Sequence, residues 1–137
     1  MFRTMLVEDN PSFRIVVKSI LQSQFPLMDI TEAADGVEAL QKIDFRHPDL
    51  IFMDVRLPGE NGLELTKKIK SVHPTIIIVI LTSYDLPEYR EAAVQHKADH
   101  FLSKASIASQ EFLTLVEAIL SEKGFNVNGS NGESVKT

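Results

Sequence analysis

Along the chain, short apolar runs alternate with segments whose apolar residues recur every three or four positions, and the alternation repeats five times. Thr4–Val7 reads as a first strand. Asn10 followed by Pro11 then supplies an N-cap and a first helical residue. Phe13, Val16, Val17, Ile20 and Leu21 continue at helical spacing. Met28 and Ile30 alternate with Asp29 and Thr31, the pattern of a half-exposed edge strand. Asp35 with Glu38 predicts a capped helix carrying Val37, Leu40 and Ile43 on its apolar face. Leu50–Met53 is the third strand. Asn61 with Glu64 repeats the capping pattern and opens a helix with Leu65, Ile69 and Val72, which His73-Pro74 stops. Ile76–Leu81 is the fourth strand, and Asp85-Leu86-Pro87-Glu88 begins a short, weakly amphipathic helix. Phe101 and Leu102 lie in a fifth strand, and Phe112, Val116, Ile119 and Leu120 mark the last helix.

The third and fourth strands are apolar at every position, which requires burial on both faces and hence helices above and below a parallel sheet. The reading is an α/β domain with a doubly wound (βα)5 architecture and the strand order 2-1-3-4-5. A domain over residues 1–123 accounts for the periodic part. From Gly124 to Thr137 the text turns polar and rich in Gly, Asn and Ser, and is expected to be a disordered tail.

Composition narrows the function without naming it. The chain has 137 residues, 44% of them hydrophobic, and a net charge of −5, so direct nucleic-acid binding is not expected. No CxxC, GxGxxG or GxxxxGK[ST] occurs, which sets aside thiolate zinc, dinucleotide and P-loop chemistry. There is no cysteine, and the six-residue run Ile76–Leu81 is far below the ~20 needed to span a bilayer. A cytoplasmic location with no membrane association is expected.

In an open parallel sheet, ligands bind beyond the carboxyl ends of the strands. Glu8 and Asp9 follow the first run, Asp54 the third, Thr82 and Ser83 the fourth, and Ser103 and Lys104 the fifth. Three acids, a hydroxyl and a lysine therefore converge on one edge, with Glu32 and Asp35 on the far side. Crowded carboxylates raise one another's pKa unless they share a cation. Oxygen-only donors suit a hard ion such as Mg²⁺. A cation, a lysine and a hydroxyl around a carboxylate can hold a phosphoryl group, whose transfer needs mainly positioning and charge neutralisation. An aspartate can itself be the nucleophile and form an acyl phosphate. Asp54, on the central strand, is the natural choice, with Glu8 and Asp9 placed to hold the metal. Singly, each residue reads as a cap, a strand end or a solvent-facing lysine; together, at four strand ends, they read as a site.

These residues sit in "LVEDNP", "DLIFMDVRLPGENGLEL", "IIIVILTS" and "ADHFLSK", and from about Thr4 to Leu120 the chain resembles the receiver domains of two-component response regulators. The resemblance implies the flavodoxin-like three-layer fold and a phosphoacceptor rather than a turnover enzyme. It implies that Asp54 takes a phosphoryl group from a sensor histidine kinase or a histidine phosphotransfer protein. It further implies that Glu8, Asp9 and Asp54 carry Mg²⁺ together with the backbone carbonyl of Arg56. Thr82 would hydrogen-bond the phosphoryl group, Lys104 would pair with it, and Phe101 holds the aromatic switch position. The surface of the fourth helix, fifth strand and fifth helix would then change, controlling a downstream protein target, an output domain missing from this chain, or a phosphorylation-dependent homodimer.

Three features depart from the family pattern. Ala105 follows Lys104 where a proline with a cis bond is usual, so either the bond is trans with an adjusted loop or strain is tolerated. Arg56 and Tyr84, two residues after Asp54 and Thr82, occupy positions that modulate phosphoryl loss in the family, and they predict a long-lived phosphorylated form. No helix-turn-helix pattern or basic stripe follows Leu120, so the chain either works through protein contacts or is the receiver of a longer regulator. The enzyme alternative is a haloacid-dehalogenase-like phosphohydrolase, but that family wants an aspartate where Arg56 stands. The four histidines, His47, His73, His96 and His100, show no ligand spacing.

Overall fold

The continuous apolar runs divide between two cores, one on each face of a single sheet. The computed structural model describes residues 1–127. In chain order its elements are β1 (Arg3–Val7), α1 (Pro11–Gln24), β2 (Asp29–Ala33), α2 (Gly36–Phe45), β3 (Leu50–Met53), α3 (Gly62–Val72), β4 (Ile77–Thr82), α4 (Pro87–Gln95), β5 (His100–Ser103) and α5 (Gln110–Glu122). The five strands are parallel and ordered 2-1-3-4-5, as expected. Successive strand residues point to opposite faces. Leu50, Phe52, Val79 and Leu81 accordingly pack with Val17 and Leu21 of α1 and Phe112, Val116, Ile119 and Leu120 of α5. Ile51, Met53, Ile78 and Ile80 pack with Ala39 and Ile43 of α2, Leu65 and Ile69 of α3 and Ala93 of α4.

The caps form largely as the sequence suggests. Asn10 Oδ1 accepts the N–H groups of Ser12 and Phe13 at the start of α1. At α2, Asp35 accepts the Glu38 N–H, while the Glu38 carboxylate reaches back to the Ala34 N–H, one residue further out than in the usual reciprocal box. At α3 only half of the pattern forms: Asn61 caps the Leu63 N–H, and Glu64 turns outward to within 3.9 Å of His96 Nε2.

Several expected core positions are exposed. Val37 is 67% exposed and Val72 70%, and the buried positions of α2 are Gly36, Ala39 and Ile43. Gly36 lies against the side chains of Glu60 and Leu65 while Ala39 and Ile43 face the core, which leaves Val37 on the outer side of α2. Two local elements were absent from the sequence reading. Arg56–Leu57 and Glu60–Asn61 form a short antiparallel ribbon, turned at Pro58-Gly59 with Gly59 at φ +75°. Lys104–Ala108 is a 3-10 turn, and Ser103 Oγ caps it by accepting the Ala105 N–H at 3.2 Å. All described peptide bonds are trans, so the chain after Lys104 takes the adjusted-loop alternative. Past α5 the packed chain continues to Phe125, whose ring lies edge-on to Phe2 at 5.2 Å. The remainder of the expected tail, 128–137, lies outside the described residues.

Candidate functional site

β1 and β3 are hydrogen-bonded neighbours in parallel register, Val7 beside Met53, so the residues that follow each strand emerge together. Glu8 and Asp54 are therefore side by side at the carboxyl edge, and both are buried. Asp9 is exposed at the rim. One carboxylate oxygen from each of Glu8, Asp9 and Asp54 lies within 4.8 Å of the others.

β5 brings the cation. Its Ser103 pairs with Thr82 of β4, and the next residue, Lys104, reaches back across the edge. Lys104 Nζ lies 2.6 Å from Glu8 Oε1 and 3.3 Å from Asp54 Oδ2. The ring of Phe13 flanks it at 4.5 Å. Burial alone would lower the lysine's pKa, but the bonds to Glu8 and Asp54 outweigh it and the pKa rises. Glu8 behaves differently. Burial pushes it up and the Asp54 charge adds to this, against the opposing pull of Lys104 and the Asn10 N–H, and its pKa reaches about 7. The second Glu8 oxygen accepts that N–H at 3.1 Å.

Thr82 is fully buried at the end of β4, and its Oγ1 accepts the Tyr84 N–H at 3.1 Å. Phe101, beside Ile80 in the register, is half-buried, and the Arg90 guanidinium lies 4.7 Å from its ring centre. Arg90 is itself held by both Asp85 oxygens, at 2.6 and 3.1 Å. Arg56 is exposed, with its guanidinium 3.9 Å over the Tyr84 ring. The Tyr89 side chain, then Tyr84, hold its charge more firmly still.

The structure thus brings together Glu8, Asp9, Asp54 and Lys104 directly, while Thr82 ends the neighbouring strand β4 and Phe101 lies on β5 against Arg90. Sequence reasoning missed three supports. Arg14 Nη1 donates to the Glu8 carbonyl at 2.6 Å and pins the end of β1. Phe13 walls the lysine. Gly62 lies so close to β3 that a Cβ there would stand 1.8 Å from the Asp54 carbonyl oxygen. The glycine was visible as a letter, but not the backbone it faces.

Chemically, the acidic set fits a hard divalent cation. The donors are all oxygens, they sit within ligating distance of one another, and a buried carboxylate lifted to about 7 gains from a shared positive charge. Among the described residues no helix is long and apolar enough to cross a membrane.

The sequence matches the family described as "Response regulator receiver domain" over residues 4–119. It is 33% identical over 130 residues to the transcriptional regulatory protein HptR of Staphylococcus aureus (strain NCTC 8325 / PS 47), covering 92% of this chain and 51% of that protein. The chain therefore spans about half the length of the curated relatives it matches. Among solved structures, it is similar to a LuxR-family two-component response regulator from Aurantimonas sp. SI85-9A1. That match has a TM-score of 0.79 at 30% identity and covers 88% of this chain and 85% of the other. A CheY-like receiver domain protein from Methanospirillum hungatei JF-1 gives 0.81 at 25% identity, covering 90% and 96%.

Proposed function

The chain belongs to the response regulator receiver family, and from that premise we propose that Asp54 is its phosphoacceptor. Membership makes it a receiver domain of two-component signal transduction; the residue roles are our own reading. The observation that carries the reading is the Asp54 carboxylate at the tip of the central strand. It lies 3.3 Å from a lysine ammonium and within 4.8 Å of two further carboxylates.

In the reaction, an Asp54 oxygen attacks the phosphorus of a phosphohistidine on a kinase or phosphotransfer protein. The P–N bond breaks as the P–O bond forms, and the released imidazole nitrogen takes a proton from solvent. Glu8, Asp9, Asp54 and the Arg56 carbonyl would hold Mg²⁺. That ion, when bound, offsets charge on the phosphoryl oxygens. Lys104, already between Glu8 and Asp54, pairs with another of those oxygens. The domain's own groups supply all of the positioning, so small phosphodonors also serve, and water later returns Asp54 to the free carboxylate.

Switching follows from Thr82. Its hydroxyl gives up the Tyr84 N–H to meet the phosphoryl group, drawing the β4–α4 connection inward and opening space for Phe101. The α4–β5–α5 face repacks and is read by a partner. HptR, a transcriptional regulatory protein, is about twice as long as this chain, which supports an output through an attached DNA-binding domain or a downstream protein, in the cytoplasm.

The test is incubation with Mg²⁺ and labelled acetyl phosphate. One equivalent of acid-stable, base-labile label, lost in Asp54→Asn, is the expected result. Label retained at the same level in Asp54→Asn would overturn the assignment.

A further inference from the structure

His47 and His73 are far apart in sequence and have no ligand spacing, yet the fold sets their rings against each other. Leu50 of β3 pairs with Ile77 of β4, so the connections entering these strands meet at the end of the sheet opposite Asp54. There the two imidazole centres are 4.5 Å apart, with the ring planes inclined at 60°. His47 is exposed and His73 half-buried.

The His73 backbone is held on both sides. The His73 N–H donates to the Ile69 carbonyl at 2.7 Å, and its own carbonyl accepts the Ile76 N–H at 3.2 Å. The Ile77 N–H closes onto the Asp49 carbonyl at 3.1 Å, tying one connection to the other. Pro48 and Pro74 follow the two histidines and disfavour helical backbone there, and His73, at φ −127° and ψ 70°, ends α3. Of the nearby cations, Arg3 lines the same surface as His47, and two others have partners. Arg46 pairs with Asp29 at 3.3 Å, and Lys70 with Asp99 at 2.9 Å and with the Pro74 and Ile76 carbonyls.

We propose that His47 and His73 form a two-imidazole site for a divalent transition-metal ion of the zinc, nickel or copper class, which clamps the connections entering β3 and β4. Neutral imidazole is a preferred ligand of these ions. Tetrahedral ligation at about 2.0–2.1 Å per bond sets two ligand nitrogens roughly 3.3 Å apart, within reach of rings whose centres are this close. The remaining coordination positions face solvent beside His47 and take water. The site differs in kind from the all-oxygen cluster at the other end of the sheet, so the two ends select different ions.

The experiment is calorimetric titration of Ni²⁺ into the tag-free chain at pH 7.5 in excess Mg²⁺, repeated on Asp54→Asn. One equivalent is expected to bind equally well in both. Affinity falls at least tenfold in His47→Ala, whose exposed side chain can be removed without disturbing the core, and in His73→Gln. In amide NMR spectra the paramagnetic ion broadens residues 45–49 and 72–77 first. Unchanged affinity in His47→Ala, or broadening confined to the segments around Glu8 and Asp54, would show that the pair is ring packing alone. Neither result depends on whether Asp54 accepts a phosphoryl group.

Discussion

Glu8 is 5% exposed, and burial before any other cause lifts its pKa from the ordinary carboxylate range to about 7. Because the folded value is the higher one, ionising Glu8 costs the folded state more than the unfolded chain. Stability contributed by this residue is therefore present below its unfolded pKa and is lost as pH rises toward 7. In cation-free buffer, Glu8→Gln is expected to match the wild type near pH 4.5 and to gain on it steadily up to about pH 7, then hold level. Urea denaturation at a series of pH values measures the gap, and millimolar Mg²⁺ should narrow it from the wild-type side only. Arg56 and Tyr84 make a second residue-scale case. The Arg56 guanidinium stacks 3.9 Å over the Tyr84 ring, and on the proposed reading the pair would shield a phosphorylated Asp54 from water. The Arg56→Ala, Tyr84→Ala double variant should lose its phosphoryl group about tenfold faster, equivalent to roughly 1.4 kcal/mol of barrier. An unchanged dephosphorylation rate would end that reading.

At the scale of elements, the loop after β3 does more than turn the chain. Pro58-Gly59 closes the short ribbon, Asn61 caps α3, and the Gly62 N–H donates to the Val55 carbonyl at 2.7 Å. This last contact draws the first turn of α3 against the backbone of Asp54. A side chain at Gly62 would meet that backbone, which cannot give way as a flexible side-chain tip would. Gly62→Ala should cost about 2–4 kcal/mol in chemical denaturation and also slow phosphorylation by displacing Asp54. Gly59→Ala is the informative partner. It faces open space, so only its left-handed conformation is penalised, at about 1–2 kcal/mol, with Asp54 unmoved.

For the whole molecule, two cores share one sheet, and the first is sealed at the end remote from the site. Phe125 packs edge-on to Phe2, and its N–H bonds the Leu120 carbonyl at 2.9 Å. Phe125→Ala should lower stability by about 1–2 kcal/mol, less than a fully buried ring would cost, and leave acetyl-phosphate labelling intact. Thermal melts and labelling on one preparation separate the two. The domain class and the chemistry of its edge were legible because both are local. Leu50–Met53 and Ile76–Leu81 carry two-sided burial in their composition, and a polar group directly after an apolar run must emerge at a strand end. Glu8, Asp9, Asp54, Thr82 and Lys104 could be placed on one edge for that reason. What the sequence did not contain was distance between residues remote along the chain. Lys104 choosing Glu8 as its nearer partner, Gly62 pressed onto Asp54, Val37 turned outward while Ala39 is buried, and His47 meeting His73 all depend on register and on how closely helices seat against the sheet. Periodicity determines which face an element hides; only the packed tertiary structure decides what that face meets, because close packing of distant segments leaves no local mark.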